Sequence, residues 1–591
     1  MNQNYFKMSF LFIFKHAKYW VFISLIFAII TGLIPIIIVW LSKEIINFIS
    51  SVLQGNSDIY STQLWFLLSF QLAIFILQKS VVNIQLYINT RYEKKLDYIL
   101  EKMVSEKSVN SPLAFFENAK FHNHLERIQY NKGIRLMSPV LSTLNIFQGI
   151  ITLTSLFIFL FTYHWLLIVI VLVIVIPIIY IRIKYGKKEF LMHLYQTPNA
   201  REQSYLAALL TNRVSASEIR LFNLKDFFLN RWSYLFKKIN REYLALIKSR
   251  EFANISTNVL SSVLYFIVSI FLLRFVRNKS IQIGDFVSIL QSVQAAERSL
   301  TDISYNIGQI YSETLYIRDL FEFLDFEDTN YIQPEVKEKK PFSFQSCIEF
   351  RNVSFKYPYS EQQALKNVSF KIAYGDKIAI VGQNGSGKTT LIYCLMGLYP
   401  INQGEILIDG VNIQEIDATD LYKNITVIFQ DYMKYNLSLK QNIVLDSLED
   451  TQKLTAVTSI SNVNKISEKL KDGDETVLGK IFLEGEDLSE GQWQKIAIAR
   501  ALYKEGEIFI LDEPTSALDP KAEIEVYNQF DNLTKRKTGI FISHRMASAR
   551  LADKIFVMQD GEIIEVGSHE DLMNLDREYA QMYQMQLDWY K

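Results

Sequence analysis

The chain has 591 residues, is 49% hydrophobic and 14% aromatic, and balances 62 Lys and Arg against 62 Asp and Glu, so nothing in its global charge points to a nucleic-acid partner. The average hides a division: most long apolar runs lie before about residue 310, and after about residue 345 the chain reads as an ordinary soluble α/β domain. Cys347 and Cys394 are too few for a disulfide framework or a zinc site, which fits a reducing compartment and two inert core thiols.

At the amino-terminal end, "NYFKMSFLFIFKHAKYW" intersperses Lys among Phe and Leu, the pattern of a helix lying in a membrane surface. Apolar runs long enough to cross a bilayer follow at Tyr19 to Leu41, Leu64 to Leu86, Pro139 to Phe161, Trp165 to Ile183 and Ile255 to Phe275, with a weaker sixth at Ile283 to Ile307. None is preceded by the short apolar core and small-residue cleavage site of a signal peptide. Lys and Arg gather between spans two and three (Arg91 to Arg135) and between spans four and five (Lys184 to Arg250), which places both segments in the cytoplasm. Arg274, Arg277 and Lys279 fall on the outer side and disagree, but the two long segments outweigh them.

Each basic segment is long enough for two helices reaching well beyond the bilayer, a stalk. Ser111 to Ile128 and Leu210 to Leu224 lie near the middle of each, where a stalk turns round; a plain helical hairpin tip and a contact with the soluble half both fit, and the contact is the expectation because the soluble half needs something to push. In the sixth span Gln291, Gln294, Arg298, Thr301, Asp302 and Tyr305 recur at helical spacing, a face unsuited to lipid. A hydrated translocation cavity fits it, and so does a polar contact between helices or a span that has already left the bilayer.

In the second half, "DKIAIVGQNGSGKTTLIYCLMGLY" runs from a β-branched strand through a Gly-rich loop into an apolar helix, the order a P-loop requires. Backbone N–H groups of Gly382, Gln383, Asn384, Gly385, Ser386 and Gly387 would surround phosphates, Lys388 would reach their outer oxygens, and the Thr389 hydroxyl would take Mg²⁺, with Thr390 completing the motif. "EIFILDEP" brings Asp512 to the metal's water shell at the end of a hydrophobic strand, and Glu513 beside it to the attacking water. Gln430 and His544 each end a strand, where ligands of parallel sheets bind, and Tyr357 offers a ring to an adenine. Further on, "DLSEGQWQKIAIAR" reads as a loop running into a helix whose start, at Ser489, Glu490, Gly491 and Gln492, presents N–H groups to an anion.

In order, these segments resemble the nucleotide-binding domain of ATP-binding cassette (ABC) transporters over residues 345–591. Tyr357 matches the adenine-stacking loop, Gly382 to Thr389 the Walker A, Gln430 the Q-loop and Leu488 to Gln492 the signature. Ile508 to Asp512 match the Walker B, with Glu513 after it, Ser516 to Asp519 the D-loop and His544 the switch histidine. The resemblance assigns catalysis to Glu513, His544 and Gln430, and adds Gln430 to Thr389 and Asp512 as the metal's partners. The signature reads LSGGQ in most members, and here Glu490 puts a carboxylate near an anion site. Residues 1–325 resemble the six-helix exporter type of membrane domain, with residues 326–344 a linker; Phe115 to Arg127 and Glu218 to Phe222 match its two cytoplasmic coupling regions. The expected fold is an α-helical membrane domain fused to an α/β P-loop NTPase domain.

What the resemblance implies is an ATP-hydrolysing exporter in the cytoplasmic membrane, its nucleotide-binding domain in the cytoplasm, working as a homodimer with ATP and Mg²⁺. Each ATP would lie between the Walker A of one copy and Ser489, Gly491 and Gln492 of the other. The runs "SEIRLF", "FQDYMKYNLSLKQNI" and "LSEGQWQKIAIARAL" look most like bacterial exporters of lantibiotic and related modified peptides. A cysteine-peptidase domain is not among the segments read, so leader removal would fall to another protein, and peptide-modifying enzymes are possible partners. The other readings are a multidrug or lipid exporter and a membrane sensor that hydrolyses ATP without moving a cargo.

Overall fold

The computed structural model describes residues 2–55, 58, 60–118, 121, 125, 128, 132–277, 281–326, 342–358, 360–445, 450–512, 537–543 and 546–590. The chain divides into two compact units, Met1–Asn110 with Ala119–Phe326, and Ser111–Asn118 with Glu327–Lys591.

The first unit is built from helices: α1 (Asn2–Leu53), α2 (Thr62–Asn110), α3 (Lys132–Phe161), α4 (Trp165–Thr211), the short α5 (Arg213–Leu221), α6 (Lys225–Arg277) and α7 (Ile283–Leu324). Among the described residues α1, α2, α3 and α6 are long and apolar enough to cross a membrane. With 49 residues α2 is about 70 Å long at the usual helical rise, more than twice a hydrocarbon core of about 30 Å, so its last turns stand clear as stalk. The backbone of α1 breaks at Ala17 (φ −142°, ψ 36°), which separates the Lys-studded amino-terminal stretch from the first span.

Helix α7 packs against α1, α3 and α4, and the apolar centre joins Leu153, Leu156 and Leu160 of α3, Leu167 and Val171 of α4, Val268 and Leu272 of α6, and Ile289, Val293 and Ala296 of α7. Small residues let the backbones approach: a Cβ on Gly149 would stand 2.7 Å from Ile303, and Ser299 Oγ and Thr152 Oγ1 donate to the carbonyls of Gly149 and Gly32 at 3.0 and 2.8 Å. Near the hairpin that joins α3 to α4, Asp285 takes the Tyr163 hydroxyl at 2.7 Å and lies 3.3 Å from Lys43 Nζ. Glu297, unremarked in the sequence pattern, accepts from Ser261 at 2.7 Å and from Tyr265. Gln294, Arg298, Asp302 and Tyr305 are exposed on the single chain, and Gln291 and Thr301 partly so.

The second unit holds two sheets. Strands β1 (Cys347–Lys356), β2 (Gln363–Ala373), β4 (Gln403–Ile408) and β5 (Val411–Asn412) form an antiparallel sheet in the order β2-β1-β4-β5. The other sheet runs β10-β9-β3-β8-β7-β6, from β3 (Lys377–Gly382), β6 (Ile425–Ile428), β7 (Ile508–Asp512), β8 (Thr538–Ile542), β9 (Lys554–Gln559) and β10 (Glu562–Gly567). Its strands are parallel except β10, which pairs antiparallel with β9. β7 and β8 are buried along their whole length, as parallel strands covered on both faces must be, which is why they read as continuous apolar runs. Residues 111–118, from the middle of the first basic segment, belong to this unit by their contacts: Ala114 and Phe115 are buried, and the Tyr399 hydroxyl donates to Glu117. In the other basic segment α5 starts on an Asn212 cap and leaves Val214, Leu221 and Phe222 exposed.

Candidate active site

β3 carries a buried run of Ile378 to Val381 through the interior of the sheet to its carboxyl end and ends in Gly382. There φ is +151°, and a Cβ would stand 2.1 Å from the Met558 carbonyl, so only glycine allows the chain to turn out of the strand. The loop closes at Gly387 (φ +100°), the start of α8 (Lys388–Leu395), where a Cβ would meet the Ala364 carbonyl at 2.6 Å. Between them Gln383, Asn384 and Gly385 are exposed, whereas Ser386 and Lys388 are buried. Lys388 Nζ donates to the carbonyls of Gly382 and Gln383, both at 2.9 Å, so its charge lies within the loop.

The Ser386 hydroxyl is buried and has no hydrogen-bond partner among the described residues. A buried orphan hydroxyl beside a buried ammonium, at a helix start with no side-chain cap, fits a bound phosphate group. Asp512, buried at the end of β7, brings Oδ1 to 3.5 Å from Thr389 Oγ1. A hydroxyl and a carboxylate so placed suit Mg²⁺, which keeps most of its waters and takes few protein oxygens. Tyr357 is half-buried, edge-on to Phe355 and Tyr399, with its hydroxyl 2.9 Å from Thr390 Oγ1. Burial raises that hydroxyl's pKa, so it stays protonated.

Gln430 is exposed two residues beyond Ile428, the last residue of β6, where the sequence pattern makes it the strand's final residue. Glu513, Ser516 to Asp519 and His544 lie outside the described residues.

The signature residues start a different helix, α11 (Glu490–Lys504), which packs on the short α9 (Leu439–Ile443) and on α10 (Thr451–Ile460). Trp493, Ile496, Leu439, Ile443, Leu454 and Val457 share one buried core, and Trp493 is 3% exposed, so its place after the signature is structural. At the helix start Ser489 Oγ accepts from the Gln492 backbone N–H at 3.4 Å, and Gln492 Oε1 accepts from the Ser489 N–H at 2.8 Å, a reciprocal capping box. Gly491 lies between them, partly exposed.

Sequence reasoning missed two connections to α11. Arg500 donates to the carbonyls of Asn442 and Met433 at 2.9 and 3.2 Å and lies over the Tyr435 ring. Glu490 accepts from the Tyr432 hydroxyl at 2.9 Å and from Lys434 Nζ at 2.6 Å. The spacing Tyr432, Lys434 after Gln430 could have hinted at the second, but no local pattern links residues some sixty positions apart.

A P-loop cassette fused to a bundle of long apolar helices defines an ATP-driven membrane transporter. Residues 365–516 match the family model described as ABC transporter, and residues 21–295 match the ABC transporter transmembrane region. The chain is 34% identical over 566 residues to the subtilin transport ATP-binding protein SpaT of Bacillus subtilis, covering 95% of this chain and 91% of that protein. It is 30% identical over 583 residues to the nisin transport ATP-binding protein NisT of Lactococcus lactis, covering 97% and 94%. An ATP-dependent lipid A-core flippase of Haemophilus ducreyi matches at 34% identity over 53% of each chain. The structure of a bacterial Atm1-family ABC exporter with ATP bound superposes with a TM-score of 0.81 over 96% of this chain and 98% of that one at 20% identity, a likeness of fold. The chain belongs to the ABC transporter family. It is an ABC exporter of the membrane, with a cytoplasmic nucleotide-binding domain whose ATP hydrolysis is coupled to transport.

Proposed function

We propose that two copies of the chain form a homodimer that exports a ribosomally made, modified peptide from the cytoplasm, with its leader attached. The observation that carries the cargo is the extent of similarity. The relatives matched along nearly the whole chain are named for transport of subtilin and of nisin, while the lipid A-core flippases match over about half. The exposure of Gln294, Arg298 and Asp302 on α7, with Gln291 partly exposed beside them, supports a cavity lined by Gln291, Gln294, Arg298 and Asp302, suited to something more polar than a lipid tail. Enzymes that modify the peptide are further partners.

In this reading the membrane domain is residues 1–325, the linker 326–344 and the nucleotide-binding domain 345–591. The phosphates of ATP sit against Gly382 to Thr390, with Lys388 turning its ammonium from the loop carbonyls to the outer phosphates. Tyr357 stacks on the base. Ser489, Gly491 and Gln492 of the facing copy close over the terminal phosphate. Mg²⁺ would be held by Thr389 and, through its waters, by Asp512 and Gln430, and would neutralise charge on the phosphates. Glu513 accepts the proton of the attacking water, and His544 steadies the terminal phosphate.

The test is the purified transporter in vesicles, comparing ATPase stimulation and uptake for a leader-bearing precursor, the leaderless peptide and hydrophobic dyes. Stimulation and uptake with the precursor are expected. Dye uptake with no response to either peptide would replace this reading with a multidrug exporter, and stimulation without uptake would make the protein a sensor.

A further inference from the structure

Glu490 stands at the first position of α11, where the oriented backbone N–H groups favour negative charge. A carboxylate is locally comfortable there, yet it competes for the same positive end with the phosphate that the proposed composite site brings up. An unneutralised Glu490 would repel the nucleotide.

Both its oxygens are engaged. Oε2 lies 2.6 Å from Lys434 Nζ, and Oε1 accepts from the Tyr432 hydroxyl at 2.9 Å, with the Glu490 carbonyl 3.1 Å from the same hydroxyl. The Lys434 ammonium, ahead of every other influence, holds the carboxyl below the usual carboxylate range. Burial and the bond to Glu490 raise the Tyr432 hydroxyl, which stays a donor. The segment that supplies both partners starts just after Gln430, and Arg500 of α11 fixes it from the other end through the Met433 carbonyl and the Tyr435 ring. Residues 432–435 are thus tied to α11 at its first turn and again near its last.

We propose that Lys434 and Tyr432 are positioning residues that neutralise and hold Glu490, so that a signature carrying a carboxylate still accepts the nucleotide's terminal phosphate. The inference rests on the composite-site reading. It also makes the segment after Gln430 and the signature helix move as one piece.

The experiment uses the full-length transporter in lipid nanodiscs, with ATPase rates measured against Mg-ATP concentration at low and high salt. Lys434→Ala is expected to raise KM for ATP about three- to tenfold at low ionic strength, with kcat changed less than about twofold. Added salt should shrink the effect, because the freed charge is exposed and screened. Lys434→Arg should restore the parent KM, and so should Glu490→Gln added to Lys434→Ala, since no charge then needs a partner. Tyr432→Phe should raise KM by a smaller factor.

A Lys434→Ala protein with parent KM at low salt overturns the proposal, as does a double variant no better than Lys434→Ala alone. Ser489→Arg, run in parallel, separates the two levels. If it abolishes turnover while Lys434→Ala does nothing, the clamp fails and the composite site survives. If Ser489→Arg leaves KM and kcat at parent values, the start of α11 does not meet nucleotide, and the clamp falls with the composite site.

Discussion

The proposed function brings phosphate to two helix starts in the same unit, and they are built differently. α8 follows Gly387, has no side-chain cap and leaves its first N–H groups to whatever binds in the loop. α11 follows Ser489 and is closed by its own capping box, which already satisfies two donors. The first start rests on a buried parallel strand with Lys388 folded into the loop. The second lies on the surface, just past the exposed Ile481, Phe482 and Leu483. A self-capped helix start gains little from a free anion, because ligand bonds must replace cap bonds worth about 1 kcal/mol each. A helix start left bare behind a glycine has nothing to give up. The difference supports the proposed division of labour, in which the P-loop would be a site by itself and the signature would become one only when a second nucleotide-bearing surface is brought against it.

The sharpest way to break this contrast is to remove charge from the bare start. Lys388→Ala should weaken nucleotide binding on the order of a hundredfold, read by titration with a fluorescent ATP analogue, whereas Ser489→Ala should change the same constant by only about twofold to fivefold. Equal losses would mean that the capped start binds on its own. Glu513→Gln should leave binding intact and slow turnover on the order of a hundredfold, as measured by phosphate release, and parent turnover would remove Glu513 from the role of base.

Next in size is the pairing of lesions in covalently linked dimers. One Lys388→Ala chain joined to one Ser489→Arg chain keeps one intact composite site and should retain roughly half the parent rate, while both changes in one chain damage both sites and should leave under about a tenth. Equal rates in the two arrangements would show that each chain binds ATP without its partner's signature.

Backbone strain offers a smaller effect within the P-loop. Gly387→Ala meets both a positive φ and the Ala364 carbonyl, and should cost about 2–4 kcal/mol of domain stability by denaturant titration. Gly385→Ala meets the positive φ with open space around it, and should cost about 1 kcal/mol. Similar losses would show that crowding at Gly387 is relieved by movement of its neighbours.

The smallest expected effect concerns the body of α8, sealed where its start is open. Burial pushes the Cys394 thiol up to about 12, so at pH 8 it carries almost no thiolate. Alkylation of the native protein at that pH should label the half-buried Cys347 well before Cys394, as followed by mass spectrometry. Fast labelling of Cys394 would mean that α8 opens as a unit.

Length and hydropathy alone separate a membrane half from a soluble half, because about twenty apolar residues are needed to cross a bilayer and few soluble helices carry them. The P-loop was equally legible: glycine spacing, a lysine and a hydroxyl are demanded by phosphate geometry, and residues adjacent in sequence stay adjacent in space. Order along the chain also placed Asp512 at the end of a buried strand, since a hydrophobic run ending in a carboxylate repeats the same local logic. Tertiary structure alone decided which distant residues meet. It placed Ala114 in the core of the second unit, set Glu297 against Ser261 and Tyr265, and turned Lys434 and Tyr432 onto Glu490. It also left Gln294, Arg298 and Tyr305 of α7 exposed, where periodicity could only say that such a face avoids lipid. The reason is physical: periodicity and spacing report what one element needs from its surroundings, whereas the identity of the partner is settled when side chains from separate elements compete for the same buried space and the same charge.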